Sequence, residues 1–398
     1  MRVGIDARFL THPQEGGFKT YTQNLVRGLA SLDQRNEYIL YTDRRADVGL
    51  DLQANFSVKP VGGPAPLREQ VLLPLAMSRD RLDAAHFLCN TAPLLSPRPL
   101  VLTVHDVIPL MLRPKSRERI GVKSRALARY WRSIMPRAAR RADRIISVSE
   151  SSKRDIIRLF GVSEERVVVA PPGVHPDFRP VHDPERMRRV RDAYGLPDRF
   201  IMGFLSCDPR KNARGLLDAA ALAAQRIPDL GVVLICASAR ARSAALDLSS
   251  DRRMRLSRLR LLDPVPRSDL AAIYSLAQAL VFPSFYEGFG LPVVEAMACG
   301  TPVVTSSTSS LPEVAGDAAL LVDPEDHAAI AHAILRLVTD AALRIELAGR
   351  GLERASAFGQ DRTVRETVAV YENLGRAARA AAQAPASPAG RPSSGDLG

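Results

Sequence analysis

Two carboxylates flank a glycine turn in the segment that spans residues 281–304. Glu287 precedes a Gly-x-Gly turn at 288–290, and Glu295 lies on the helix that is predicted to start near Pro292. Glycines let a ligand approach the backbone closely, and a helix start favours an anion such as phosphate. Because a carboxylate accepts hydrogen bonds from hydroxyls, the segment predicts a site for a phosphorylated sugar. A structural turn before a helix that carries a dipole-complementing glutamate is the simpler alternative.

Two adjacent cations, Arg210 and Lys211, follow the apolar run at 199–205 and precede a predicted helix. Positive charges at a helix start oppose the local helix dipole unless an anion lies between them. Such a local conflict is typical of a functional site, so the pair is predicted to bind phosphate. A solvated pair of surface side chains is the alternative.

The N-terminal half contains two weaker patterns. Gly16 and Gly17 form a turn before a predicted helix, where Lys19 adds charge; this suits a phosphate-sized pocket, although a plain loop is the simpler interpretation. His105 and Asp106 end the third predicted strand, and His105 is open as a general base, a metal ligand or a buried structural histidine. No second His or Cys lies at a metal-ligand spacing, so no metal is predicted.

Short β-branched runs alternate with helical patterns along the chain, and this rhythm predicts parallel strands with helices on both faces of each sheet. A Pro-, His- and Asp-rich segment at 171–187 interrupts the rhythm, so two domains are predicted, at 1–180 and 181–360. Ligands of such sheets bind at the carboxyl ends of the strands, in the cleft between the domains. The predicted strands lie within residues 3–5, 37–42, 99–104, 144–149 and 166–171, and then within 199–205, 231–236, 279–284, 301–306 and 318–323.

Composition restricts the class of protein. The chain has 398 residues, 46% of them hydrophobic and 25% charged, as in globular proteins. Its four cysteines form no CxxC pair, and no run approaches the roughly 18 apolar residues of a membrane span. The N-terminus lacks the apolar core of a secretion signal, so a cytoplasmic location is expected. The Ala-, Pro-, Ser- and Gly-rich segment 376–398 is predicted to be a disordered tail.

The net charge of +12 is concentrated in one segment, 113–144, where twelve Lys or Arg stand against two acidic residues. Trp131, Ile134 and Met135 lie among these cations, which suits a helix on an anionic membrane surface. A solvated Arg-rich helix explains the segment equally well. Peripheral contact with the inner face of the cell membrane is therefore one hypothesis.

Taken together, these segments resemble the retaining glycosyltransferases of family 4, mannosyltransferase-like members included. The resemblance implies the GT-B fold, in which two Rossmann-like domains with doubly wound parallel sheets face each other across a cleft. It covers the chain from Met1 to about residue 375 and places a helix at 361–375 that crosses back to the first domain. The motifs are EGFGLPVVEAMACGTPVV at 287–304, PRKN at 209–212, VHD at 104–106, RADRIISVSE at 141–150 and LPEVAGDAALLVDPED at 311–326.

The resemblance also implies the roles of site residues. It implies that Arg210 and Lys211 hold the diphosphate of a nucleotide-sugar donor. It further implies that Glu295 accepts hydrogen bonds from the ribose hydroxyls and that Glu287 contacts the transferred sugar near His105. The implied donor site is completed by the backbone of 289–291, which lies against the sugar and diphosphate, and by the glycine loop at 16–17 with Lys19 beside it. The implied catalytic residues are His105, Arg210, Lys211 and Glu287, and the implied donor-binding residues are Gly16, Gly17, Lys19, Phe289, Gly290, Leu291 and Glu295.

Three positions depart from the pattern of the family. Relatives often have a glycine at the position of Lys19, so a side-chain cation replaces backbone access there. Leu205 stands where Gly or Arg is frequent, and the segment 235–242 lacks glycines that often follow this strand. The departures concern contacts to the donor base more than the grip on the diphosphate.

The implied activity is that of a hexosyltransferase in polysaccharide biosynthesis. GDP-mannose is the first expectation for the donor and a UDP-hexose the second, with a glycan, a lipid-linked molecule or a small molecule as acceptor. The family pattern implies no cofactor and no essential metal, because cationic side chains neutralise the diphosphate.

Two other functions stay open from the residues alone. A nucleotide-sugar epimerase is built on a similar pair of domains. A nucleic-acid-binding protein would use the same basic segment, but few aromatic residues interleave the charges, so no nucleic-acid partner is expected.

Overall fold

The computed structural model describes residues 1–13, 16–45, 47–111, 122–249 and 258–383. Within these ranges, seven parallel strands form a first sheet in the order β3-β2-β1-β4-β5-β6-β7. Six more form a second parallel sheet in the order β10-β9-β8-β11-β12-β13. The predicted α/β class with two parallel sheets is confirmed. The strands are β1 Arg2–Asp6, β2 Glu37–Thr42, β3 Phe56–Pro60, β4 Ala84–Phe87, β5 Leu100–Val104, β6 Arg144–Ser147, β7 Val167–Val169, β8 Phe200–Leu205, β9 Gly231–Cys236, β10 Leu259–Leu262, β11 Ala279–Phe282, β12 Val303–Ser306 and β13 Ala319–Val322.

Most of the α-helices connect successive strands, and the last three follow the last strand. A π-helical turn at Arg68–Leu72 lies between two of them, and 3-10 turns lie at Glu164–Arg166 and Pro209–Lys211. The α-helices are α1 Arg8–Thr11, α2 Gly17–Leu32, α3 Ala65–Leu67, α4 Leu73–Ser78, α5 Ile108–Met111, α6 Val122–Arg141, α7 Glu150–Phe160, α8 Pro184–Tyr194, α9 Ala213–Arg226, α10 Ala239–Ser249, α11 Arg267–Leu276, α12 Leu291–Ala298, α13 Leu311–Ala315, α14 His327–Thr339, α15 Ala341–Ser356 and α16 Gln360–Gln383.

The central strands of each sheet are buried on both faces. Successive strand residues point to opposite faces, and the two faces pack into different apolar clusters: Ile145 and Ile146 of β6 belong to separate cores. In the second sheet, Phe200 and Ile201 of β8 divide in the same way. The continuous apolar runs in the sequence follow from this burial, because helices cover both sides of every central strand.

The chain returns to the first sheet through α16, which packs against α2 and β4. The crossing is tight, since a Cβ built on Gly28 of α2 would lie 2.5 Å from a methyl group of Val364. Tyr371 of α16 places its hydroxyl 2.6 Å from Nδ1 of the buried His86 on β4. Residues of the last helix are thereby tied to the sheet with which the chain begins.

The structure differs from the sequence expectations in several elements. β3, β4 and β10 were not predicted, and α16 continues to Gln383, so residues 376–383 are helical instead of part of a tail. Alanine has the highest helix propensity, and this stretch is rich in it. Residues 384–398 and the 113–121 part of the basic segment lie outside the described ranges. Ile134 and Met135 of the basic segment are buried in the core, so they do not face a membrane.

Candidate active site

A cleft of about 430 Å³ opens at the carboxyl ends of strands from both sheets. Its volume lies within the range of small-ligand sites. Ten of the eleven predicted site residues line it, contributed by α2, the end of β5, the turn before α9 and the start of α12. These are Gly16, Gly17, His105, Arg210, Lys211, Glu287, Phe289, Gly290, Leu291 and Glu295.

Lys19 is the predicted site residue that is not among the lining side chains. Its helical neighbours Phe18 and Thr20 both line the cleft. The cleft wall therefore includes the glycine turn at 16–17 but not Lys19.

The glycine turn joins the two halves of the molecule at one wall of the cleft. A Cβ built on Gly288 would lie 2.2 Å from the carbonyl oxygen of His105, a distance that real Cβ atoms do not adopt. Gly290 has φ of 107° and caps the start of α12, a backbone conformation that favours glycine. Both glycines are thus required by geometry, the first by close approach and the second by its dihedral angle.

Two serines form hydrogen bonds with the backbone of the glycine turn. The Glu287 backbone N–H donates to Ser309 Oγ at 2.9 Å, and Ser310 Oγ lies 2.8 Å from the carbonyl oxygen of Phe289. Neither serine is predicted from the sequence, although the run TSSTSS at 305–310, which begins in the last two residues of β12, is the signal that points to them. These hydrogen bonds fix the main chain on which the carboxylate of Glu287 is carried.

Arg210 and Lys211 lie in the 3-10 turn that precedes α9. Asn212 fixes this turn, because its buried amide donates to the carbonyl oxygens of Pro283 and Pro324 at 3.0 and 2.7 Å. As the sequence predicts, the two cations precede a helix, but they lie before its Asn212 cap and not in its first turn, which begins at Ala213. The 3-10 turn brings them to the wall formed by the glycine segment.

Each of these cations is matched by a carboxylate. Lys211 Nζ lies 2.6 and 2.8 Å from the two carboxylate oxygens of Glu287, and 5.3 Å from the ring centroid of Phe282. Arg210 pairs with Asp208 through Nε at 3.1 Å and through Nη2. Both cations of this wall are therefore already paired with carboxylates.

His105 faces this wall from the first half of the chain. Its Nε2 lies 2.8 Å from the carbonyl oxygen of Leu88, which identifies Nε2 as the protonated nitrogen and leaves a lone pair on Nδ1. The rings of Phe18 and Tyr21 contact the imidazole edge to face, at centroid distances of 4.9 and 4.6 Å. Burial lowers the pKa of His105 to about 4, so the ring is neutral at physiological pH.

Two carboxyl groups in the cleft have raised pKa values. Burial raises the pKa of Glu295 to about 7, although the Tyr274 hydroxyl, 3.1 Å from its Oε2, favours the charged form. Burial likewise raises the pKa of Asp106 to about 6, while its Oδ1 accepts from the backbone N–H of Ile108 at 3.0 Å. The sequence places Asp106 directly after His105 but indicates no role for it.

Most of the other residues along the cleft carry no chemical signal in the sequence; Gly288 and Pro292 are the exceptions, as parts of the predicted glycine turn and helix start. They are mostly apolar or small, and they shape the site by packing. They are Phe18, Thr20, Ile108, Val148, Pro172, Gly288 and Pro292.

In the described part of the chain, no group of three His, Cys, Asp or Glu side chains is placed to hold a metal ion. Over the same part, no helix combines the length and apolarity needed to span a bilayer.

Comparison with known sequences agrees with this architecture. Residues 15–178 match the family described as Glycosyltransferase Family 4, and residues 198–340 match Glycosyl transferases group 1. O-antigen chain mannosyltransferase B of Escherichia coli is 35% identical over 62% of this chain and 65% of its own length. The MMP alpha-(1->4)-mannosyltransferase of Mycolicibacterium hassiacum is 33% identical over 69% of this chain and 65% of its own length. Slightly less than two thirds of either relative is therefore matched.

Solved structures share the fold at low sequence identity. Sucrose-phosphate synthase from Thermosynechococcus elongatus superposes with a TM-score of 0.74 at 21% identity, covering 95% of this chain and 100% of that one. Anabaena HepE, solved in complex with UDP and glucose, gives a TM-score of 0.67 at 19% identity, covering 94% and 98%. With two successive family matches, mannosyltransferase relatives and this two-sheet architecture, the chain belongs to the family 4 glycosyltransferases of GT-B fold.

Proposed function

We propose that the chain is a retaining hexosyltransferase that uses a nucleotide-diphosphate sugar. The observation that carries the proposal is the convergence, in one cleft, of Arg210, Lys211 and the glycine turn from the second half with His105 from the first. Cations and a helix start suit a diphosphate, and Glu287 and Glu295 suit hydroxyls of the sugar and the ribose. The epimerase and nucleic-acid hypotheses receive no support from the family matches.

The reaction breaks the bond between the anomeric carbon and the phosphate oxygen. Negative charge then grows on the diphosphate and positive charge on the sugar ring, and fixed cations stabilise the former most in the transition state. The acceptor oxygen bonds to the same face of the anomeric carbon, and its proton passes to the leaving phosphate oxygen. No enzyme carboxylate is required as a covalent nucleophile in this scheme. Arg210 and Lys211 provide the positive charge, so we propose that neither a metal nor a cofactor is needed.

GDP-mannose is the donor that we place first. The relatives named above are mannosyltransferases, one of them acting on the O-antigen chain. UDP-hexoses come second, because a structural neighbour was solved with UDP and glucose. The acceptor is proposed to be a glycan, a lipid-linked molecule or a small molecule.

A panel of nucleotides tests the donor first. GDP, UDP, ADP and TDP are added separately, and the one that matches the site raises the melting temperature by mass action. The matching nucleotide sugar is then supplied with methyl α-mannoside as a probe acceptor, and the anomeric protons of the product are followed by NMR. An α-linked product from an α-linked donor supports retention. Failure of all four nucleotides to bind, together with no consumption of any sugar donor, contradicts the proposal.

A membrane-bound acceptor is proposed from the surface of α6. Exposed arginines follow this helix, and Leu127 beside them is 47% exposed. Such a surface attracts anionic lipid through charge and adds a small apolar contact. Flotation with phosphatidylglycerol vesicles should recover the protein at low salt, and phosphatidylcholine vesicles should not; equal failure with both assigns the acceptor to solution. The exposed arginines are Arg129, Arg132, Arg137, Arg140 and Arg141.

A further inference from the structure

One carboxylate of the second half of the molecule accepts two backbone hydrogen bonds from the first turn of α7. Glu313, at the start of α13, places Oε1 2.8 Å from the backbone nitrogen of Glu150 and Oε2 3.0 Å from that of Ser151. Both amides donate, so the carboxylate caps a helix that belongs to the opposite unit. A negative charge at a helix N-terminus is electrostatically favourable. The two halves are thus joined by a charge-assisted pair of hydrogen bonds.

Two serines of the same turn reach the glycine segment. Ser149 Oγ donates to the carbonyl oxygen of Gly288 at 2.7 Å. Ser152 Oγ lies 3.0 Å from that oxygen and 3.0 Å from the carbonyl oxygen of His105. The hydroxyl of Ser152 therefore lies between the residue that faces the cleft from the first half and the turn that faces it from the second.

A third contact continues from α7 toward the cationic wall. The Tyr286 hydroxyl donates to Asp155 Oδ2 at 2.7 Å, and the carbonyl oxygen of the same tyrosine accepts from Arg210 Nη1 at 3.3 Å. Tyr286 immediately precedes the predicted catalytic Glu287 in the chain. One helix of the first half thus contacts residues on both sides of this glutamate.

We propose that the start of α7 is a closing clamp, defined by Ser149, Ser152 and Asp155, and that Glu313 is the positioning residue that engages it. The clamp holds the glycine turn against the end of β5, so that the cationic wall and His105 face the same bound sugar. Its contacts to Glu313, Gly288 and Tyr286 cross between the halves and exist only when these are close together. The inference rests on the proposed transferase function, because it assigns the clamp to turnover instead of to donor binding.

Hydrogen exchange of individual amides tests the clamp without an activity assay. In a Glu313→Ala variant of the full chain, the amides of Glu150 and Ser151 should exchange about tenfold faster, since their acceptor is lost. The amide of Ser152 serves as an internal control, because it donates to Ser149 Oγ within the same unit at 3.0 Å. Unchanged exchange at Glu150 and Ser151 overturns the assignment.

Kinetics then separate positioning from a merely structural effect. Glu313→Ala should lower kcat about tenfold and leave the Kd for GDP, or for whichever nucleotide the panel selects, within about twofold. The matched control is Glu346→Ala, which removes an exposed carboxylate of α15 paired with Arg350 and should change neither value. An equal loss in nucleotide affinity and in kcat contradicts the clamp, because Glu313 would then act on the donor site.

A second variant protects the test against misfolding. Tyr286→Phe removes only the hydroxyl that contacts Asp155, and it should also lower kcat with little change in nucleotide Kd. If wild-type protein neither binds a nucleotide nor turns over a sugar donor, the proposed function fails and the exchange experiment still reports on the clamp. If wild-type protein is active and both variants match it in kcat, the function stands and the clamp is wrong.

Discussion

The ammonium group of Lys211 lies 2.6 Å from one carboxylate oxygen of Glu287 and 2.8 Å from the other. Glu287 is 8% exposed and Lys211 is partly exposed, so the carboxylate is shielded from solvent and the two charges depend on each other. In the proposed reaction, the diphosphate takes over part of the interaction with Lys211. Glu287 is then free to accept a hydrogen bond from a sugar hydroxyl. The pair therefore links arrival of the phosphate to recognition of the sugar.

Removing either partner of this pair should impair donor use by a large factor. Lys211→Ala loses a cation that stabilises the leaving diphosphate. We expect kcat/KM to fall by a factor that corresponds to a loss of about 2–4 kcal/mol in transition-state stabilisation. The kcat/KM of Glu287→Gln should fall by a similar factor. Because the two residues act as a unit, the double variant should lose much less than the sum of both losses. Steady-state kinetics of the four proteins measure this directly.

The control for that cycle is Lys59→Ala, which breaks the ion pair of an exposed lysine with the partly buried Asp80. Neither residue lines the cleft, so this variant should have wild-type kinetics. Strictly additive losses at Lys211 and Glu287 would contradict the coupling that the hydrogen bonds indicate.

Nucleotide binding should depend on pH through Glu295. Burial raises its pKa to about 7, so the carboxylate that is proposed to accept from the ribose is present mainly above that pH. Affinity for the nucleoside diphosphate should therefore decrease as the pH falls through about 7. Tyr274→Phe removes a hydroxyl that favours the charged carboxylate, so the midpoint should move to higher pH. Calorimetric titration across this range measures both midpoints.

Glu295→Gln separates this effect from titration of the nucleotide itself. The variant cannot ionise at this position, so its affinity should be lower at high pH and should lack the step. A step of the same size in wild type and in Glu295→Gln assigns the pH dependence to the phosphate group of the ligand.

Gly288→Ala should separate the two halves at the cleft. The new Cβ would lie 2.2 Å from the backbone oxygen of His105, and backbone cannot yield as a flexible side chain does. A displacement of about 1 Å near the reacting atoms can lower turnover by about a hundredfold, and we expect a loss of that order. Gly349→Ala is the matched control, because an added Cβ meets nothing within 4 Å on the exposed side of α15. Wild-type turnover in Gly288→Ala would exclude the close approach as a requirement.

The sequence predicted the sheets because their central strands are buried on both faces. Runs such as FIMGFL and GVVLIC have no polar alternation, and the βαβ rhythm around them leaves few other arrangements. β3 was missed because it is largely exposed at a sheet edge, and β4 because AAHF contains two alanines and a histidine. Edge strands and short alanine-containing strands carry little hydrophobic signal, so pairing with neighbours defines them instead.

The placement of site residues followed from motifs that also shape the backbone. Gly290 and Pro292 mark a helix start by their own conformational limits, and the cleft lies there. The pairing of Lys211 with Glu287, and of Glu313 with α7, joins segments that are distant in the chain. Neither pair leaves a trace in local spacing, so only the assembled structure identifies them.

Acid should destabilise the fold through His86. This histidine is fully buried, with Nδ1 2.6 Å from the Tyr371 hydroxyl and Nε2 2.8 Å from Thr103 Oγ1, and burial lowers its pKa to about 3. Between its ordinary pKa of 6.5 and about 3, the unfolded chain binds a proton that the folded chain does not. The free energy of unfolding should therefore fall by up to about 1.4 kcal/mol per pH unit as the pH drops through this window.

In urea titrations at several pH values, His86→Gln should be less stable than wild type near pH 8 but should lose stability less steeply below pH 6.5. The control His182→Gln changes an exposed histidine and should retain the wild-type slope. Equal slopes in His86→Gln and wild type would show that other groups cause the acid sensitivity.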